Sequence, residues 1–138
     1  MIGILIITHG ALGESLMDCA AHVLGSTPEQ MASLAVSSKD DYASVLPKAL
    51  ELIAGIDSGE GVLVLSDMYG ATPCNVVVRI LQPGRVEGVA GVNLPMLVRV
   101  MTYRHEPLAT LVEKAVSGGR EGVVTFGSDS CERYEQAH

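Results

Sequence analysis

Apolar residues gather in five short runs, at 2–7, 34–36, 61–65, 86–92 and 122–126, each rich in Val, Ile or Leu. The runs are nearly continuous rather than alternating, the pattern of strands covered on both faces. Amphipathic segments separate most of them. The first predicted helix spans 11–24, with Leu12, Leu16, Cys19 or Ala20, and Val23 as its apolar stripe and Gly25 placed to end it. A second helix is expected from near Ser38, whose spacing to Asp41 resembles a capping box, to just before Gly55. Pro47 inside it should kink or split it.

Thr72 followed by Pro73 is a strong helix start, a hydroxyl N-cap and a proline at the first helical position, leading into 74–81. Asn93 near Pro95 repeats the signal for a short fourth helix. Glu106-Pro107 opens a fifth that should stop at Gly118-Gly119. The order β-α-β-α-β-α-β-α-α-β implies an α/β fold with right-handed crossovers. Its mainly parallel, doubly wound sheet carries helices on both faces. A flavodoxin-like strand order, 2-1-3-4, is expected. The last strand follows two helices and is read as antiparallel at an edge, and the polar tail 127–138 as frayed.

The chain has 138 residues, 48% of them hydrophobic, which suits one domain without metal or disulfide staples. Three cysteines, Cys19, Cys74 and Cys131, are odd in number and lack a close CxxC spacing, so neither a disulfide framework nor a zinc cage is expected. Nine basic against sixteen acidic residues leave a net charge of −7, and aromatics make up only 4%. Nucleic acid is therefore not an expected ligand, since both counterion release and stacking platforms are scarce. No signal peptide and no 18-residue apolar span are read, so the expected location is the cytoplasm, without membrane insertion.

In an open parallel sheet, ligands bind beyond the carboxyl ends of the strands, where strand order reverses. For the order 2-1-3-4 that place lies between strands one and three. Strand one ends in Thr8-His9-Gly10 and strand three in Ser66-Asp67, so an imidazole and a carboxylate should face each other there. A carboxylate that accepts one ring N–H fixes the tautomer and leaves the other nitrogen's lone pair free as a nucleophile. The following segment, 68–73, is a Gly-containing loop that brings the amino end of a helix to the same place, an anion site built from backbone N–H groups. It is not a Walker A loop, and neither a magnesium nucleotide nor any other cofactor or metal is expected. Cys19 and His22 have helical metal spacing but no second pair, which favours helix packing.

Four motifs stand in order along the chain: THG after the first strand, SDMYGATPCN after the third, AGVNLPML after the fourth and GGREGV before the last. In order and spacing, over residues 1–126, they resemble the IIA domain of the mannose family of the bacterial phosphoenolpyruvate-dependent sugar phosphotransferase system. The resemblance implies a phosphotransferase in which His9 accepts a phosphoryl group from phospho-HPr and passes it to a IIB protein. It further implies phosphate on Nε2 of His9, Asp67 on the other ring nitrogen, and a phosphate cradle at Gly70, Ala71 and Thr72, with Gly10 beside it. A homodimer sharing or exchanging the edge strand 121–126 is also implied. No Ala/Pro-rich linker or fused IIB domain follows, so a separate IIB chain is the expected acceptor.

Three alternatives stay open at this level. One is a regulatory IIA protein without sugar transport, and another the phosphocarrier subunit of a dihydroxyacetone kinase. A receiver-type signalling domain also places an Asp after strand three, but it needs an acidic pair after strand one and a late Lys where this chain has Thr8-His9 and Thr125-Phe126. A serine hydrolase lacks its GxSxG elbow here.

Overall fold

The computed structural model describes residues 1–68 and 72–127, with Thr72 described in its backbone alone. Its elements are β1 (Gly3–His9), α1 (Leu12–Leu24), β2 (Met31–Val36), α2 (Tyr42–Ile56), β3 (Val62–Ser66), α3 (Thr72–Ile80), β4 (Val86–Ala90), α4 (Leu94–Thr102) and α5 (Leu108–Glu121). The four strands form one sheet in the order β2-β1-β3-β4, every pair parallel. Successive residues of a strand point to opposite faces, so the apolar runs of β1 and β3 feed two cores. Ile4, Ile6, Leu63 and Leu65 pack with Ala20, Leu97, Val100, Leu111 and Ala115 of α1, α4 and α5. Leu5, Ile7, Val62 and Val64 pack with Val45, Ala49, Ile53, Val76 and Ile80 of α2 and α3. Burying each such Leu, Ile or Val contributes about 1.5–3 kcal/mol, which is why the two central strands are apolar at every position through their middle.

Several local expectations change. The buried face of α1 is carried by Gly13 and Ala20 with Leu16 and Met17 partly covered, while Leu12 and Val23 are exposed. Helix α2 starts at Tyr42 rather than near Ser38, because the Asp41 carboxylate accepts the Ser44 N–H at 2.9 Å and caps it there. It then runs through Pro47 as one helix. Both Pro47 and Ala43, whose carbonyl cannot bond to the proline nitrogen, are exposed, so that carbonyl lies open to solvent. Helix α5 does not stop at Gly118-Gly119 but continues to Glu121. A Cβ at Gly118 would lie 3.0 Å from Arg99 and one at Gly119 2.8 Å from Met96, so these glycines serve close packing on α4, not termination. Cys19 and His22 face solvent rather than packing.

Residues 123–127 form no strand in the single chain. Val123, Val124 and Phe126 are 76%, 74% and 81% exposed there, and β4 pairs only with β3 among the described strands. At the opposite end of the sheet, the buried Arg104 guanidinium donates to the carbonyls of Ile2, Glu29 and Gln30, tying the start of β1 to the loop before β2. Burial pushes its pKa down, opposed by the Glu29 charge.

Candidate functional site

The reversal of strand order falls between β1 and β3, and the two candidate side chains stand at its upper rim. β1 ends at His9, whose backbone is held on one side by the sheet, opposite Val36 of β2. Gly10 then donates its N–H to the Val36 carbonyl at 3.1 Å and adopts φ +54°, a left-handed conformation that favours glycine and turns the chain toward α1. Asp67 follows directly on β3. His9 and Asp67, 58 residues apart, meet with Nδ1 and Oδ2 2.8 Å from each other.

The carboxylate is anchored by more than the ring. Its Oδ2 also accepts the backbone N–H of His9 at 3.0 Å, and its Oδ1 accepts that of Met68 at 2.9 Å. Partial burial pushes the Asp67 pKa up. The hydrogen bonds from the His9 backbone, the His9 ring and the Met68 backbone, together with the charge of His9, outweigh it and hold the carboxyl below its ordinary 3.8. An ionised carboxylate only accepts, so the proton of a neutral ring sits on Nδ1 and the lone pair on Nε2. The His9 side chain is 46% exposed and that of Asp67 12%, so the imidazole opens to solvent while the carboxylate that orients it is mostly covered.

The remaining expected site residues divide sharply. Gly10 lies at the turn beside His9. Gly70 and Ala71 fall outside the described residues, and Thr72 is described only as the first backbone position of α3. Cys74 is buried in the first turn of α3. Among the described residues no group of three or more His, Cys, Asp or Glu is placed to hold a metal ion.

Sequence reasoning missed the backbone N–H groups on Asp67 and the part played by Thr8. The Thr8 side chain is buried, 1% exposed, and its Oγ1 accepts the Gly13 N–H at 2.8 Å, five residues on. A hydroxyl next to His9 was visible in the sequence, but its partner depends on how the turn folds.

A family model described as "PTS system fructose IIA component" matches residues 3–116. The mannose-specific EIIAB component of Escherichia coli is 33% identical over 135 residues, 96% of this chain and 42% of that protein, so the chain spans less than half the length of this relative. The fructose-specific EIIA component of Bacillus subtilis is 27% identical over 105 residues, 75% of this chain and 71% of that one. The mannose/sorbose-specific IIA subunit from Enterococcus faecalis shares the fold, with a TM-score of 0.81 at 22% identity over 91% of this chain and 95% of its own. An EIIA component from Streptococcus agalactiae does so with a TM-score of 0.80 at 24% identity, over 91% and 98%. The strand order and the match over residues 3–116 agree, and the chain belongs to the IIA component family of the sugar phosphotransferase system (PTS), in its mannose type.

Proposed function

We propose that this chain is a phosphocarrier that takes a phosphoryl group from phospho-HPr on Nε2 of His9 and passes it to a IIB protein. The observation that carries the reading is the His9–Asp67 pair, with its ring half exposed and its Nδ1 proton held. In the first step the Nε2 lone pair attacks phosphorus in line, and the bond from phosphorus to the donor nitrogen breaks as the new one forms. The Nδ1 proton stays between the ring and Asp67, whose charge stabilises the positive charge that the ring acquires. Transfer to IIB is the same exchange in reverse. Gly10, Gly70, Ala71 and Thr72 are proposed as the phosphate cradle, using backbone N–H groups at the start of α3.

The test is incubation with phosphoenolpyruvate, enzyme I and HPr, followed by mass spectrometry of the His9 peptide and a chase with IIB. Acid-labile label on His9 that moves to IIB is the expected result. Label retained in His9→Ala, or an acid-stable and base-labile bond, overturns the reading. Label that reaches His9 and no IIB favours a regulatory member of the family.

The proposal includes a cytoplasmic location, one functional domain over residues 1–126 with 127–138 as a tail, and a homodimer built on the segment 121–126. Supporting the last are the open edge of β4 and the exposed Val123, Val124 and Phe126 at the end of α5, with Val123 lining the groove beside Gly88 and Ala90. The expected outcome of replacing Phe126 and Val124 with Asp is a shift from dimer to monomer in sedimentation. A wild-type monomer at micromolar concentration would overturn the dimer and leave the chemistry untouched. No described helix is long and apolar enough to cross a membrane.

A further inference from the structure

One polar side chain beside the site is buried and used by nothing in the transfer step. Thr8 sits at the penultimate position of β1, opposite Ala35 of β2, and is 1% exposed. Its hydroxyl accepts the Gly13 N–H at 2.8 Å. That amide belongs to the first turn of α1, where helix N–H groups lack partners within the helix. The residue at the N-cap, Ala11, has no side-chain oxygen to offer, and no cap hydrogen bond is made there. Thr8 supplies the missing acceptor from the strand, closing a ring of chain over residues 8–13 with His9 at its exposed corner. Gly13 is matched to this contact, since a Cβ there would stand 3.1 Å from both Thr8 Oγ1 and Ile6 Cγ2.

His9 is therefore gripped from two directions. Asp67 holds its backbone N–H and its Nδ1 from β3. On the carboxyl side, Gly10 is pinned to Val36 and the rest of the turn is drawn toward the strand by Thr8. Without the Thr8 contact, the Gly10–Val36 hydrogen bond is what still ties the turn 10–12 to the sheet, and the carboxyl side of His9 is less constrained.

We propose that Thr8 is a positioning residue for phosphoryl transfer, its hydroxyl fixing the turn that keeps Nδ1 of His9 on Asp67 and Nε2 aimed at the incoming phosphorus. The inference rests on the phosphocarrier reading for the reaction it serves, but the ring geometry it concerns exists without any phosphate.

The test compares Thr8→Val, which keeps the shape and removes the acceptor, with Thr8→Ser, which keeps the acceptor. Thr8→Ala serves as the second hydroxyl-free variant if Thr8→Val does not fold. Nitrogen-15 spectra of the His9 ring report the tautomer, and transfer from phospho-HPr gives kcat and KM. In the hydroxyl-free variants the Nε2–H tautomer becomes populated and kcat falls about tenfold with KM unchanged, a part of the about 100-fold loss that a 1 Å misplacement can cause. Thr8→Ser restores both readouts. Wild-type ring shifts and kcat in Thr8→Val, with only a lower Tm, overturn the proposal and leave Thr8 as a helix cap. A wild-type protein that takes no label on His9 overturns the phosphocarrier reading instead, while the ring spectra still decide the role of Thr8.

Discussion

The two ends of the sheet each carry a histidine among carboxylates, and they differ in every respect that matters for chemistry. At the carboxyl end of the strands, His9 is locked to Asp67 at 2.8 Å on an open surface. At the amino end, His105 lies with Glu60, Glu87, Glu106 and Glu113 around a cavity of about 750 Å³ floored by Ile2 and Leu108. The cavity has the weaker chemistry. Glu60 is committed to the chain's amino terminus and Glu87 to the Gly84 N–H, and among the described residues no hydrogen bond or ion pair orients the His105 ring. The proposed transfer between two proteins asks for an exposed nucleophile with a fixed tautomer, which an open rim suits better than a pocket for a small ligand.

The contrast can be broken most directly at the histidines. His9→Ala is expected to lose phosphorylation entirely in the phosphoenolpyruvate, enzyme I and HPr assay, and His105→Ala to keep the wild-type extent. A label that follows His105 would invert the assignment. A smaller effect is expected at the carboxylate. Asp67→Asn should retain its fold by circular dichroism yet transfer about 10- to 100-fold more slowly, the usual cost of losing a group that orients a histidine. Glu113→Gln in the cavity should change the rate by no measurable factor.

The smallest effect is on stability against pH. Asp67 is held below its ordinary value in the folded chain, so its contribution is fully present above that ordinary value and disappears as pH falls through the lowered one. Asp67→Asn lacks that contribution at every pH. The Tm difference between the two proteins is therefore expected to be largest at neutral pH and to close below about pH 3.8, as a Tm series would record. A difference that stays constant into acid would mean that the amide variant is destabilised by something other than the lost charge. Asp57 does not blur the comparison. Its carboxylate is held low chiefly by the Gly59 N–H, then against burial by Gly61 and Arg85, and it is the same in both proteins.

Legibility in the sequence followed the range of the forces involved. The strand runs and the caps were readable because they depend on neighbours within a few residues. Asn93, for instance, accepts the Met96 N–H three positions on, and Gly25 ends α1 in the left-handed conformation that glycine favours. Gly118-Gly119 misled as a helix stop because the same residue type also serves close packing, and only Arg99 and Met96 of α4 show which role applies. The α1 stripe misled because the helix is rotated by its packing on β1 and α4, which exposes Leu12 and Val23.

By itself the sequence determined which chemistry was available: an imidazole at one strand end, a carboxylate at another, a proline-marked helix start, and no surplus of basic charge. It also determined the parallel α/β class, through apolar strands alternating with capped helices. Tertiary structure decided which of these groups touch. The order β2-β1-β3-β4, already expected from the sequence, makes β1 and β3 neighbours and brings His9 to Asp67 across 58 residues, and the fold settles which of their atoms meet. It also decided that Thr8, silent in any hydrophobic pattern, spends its hydroxyl on Gly13. A buried polar group must find a hydrogen-bond partner, and which partner stands within 3 Å is settled by how the elements pack, not by what precedes or follows in the chain.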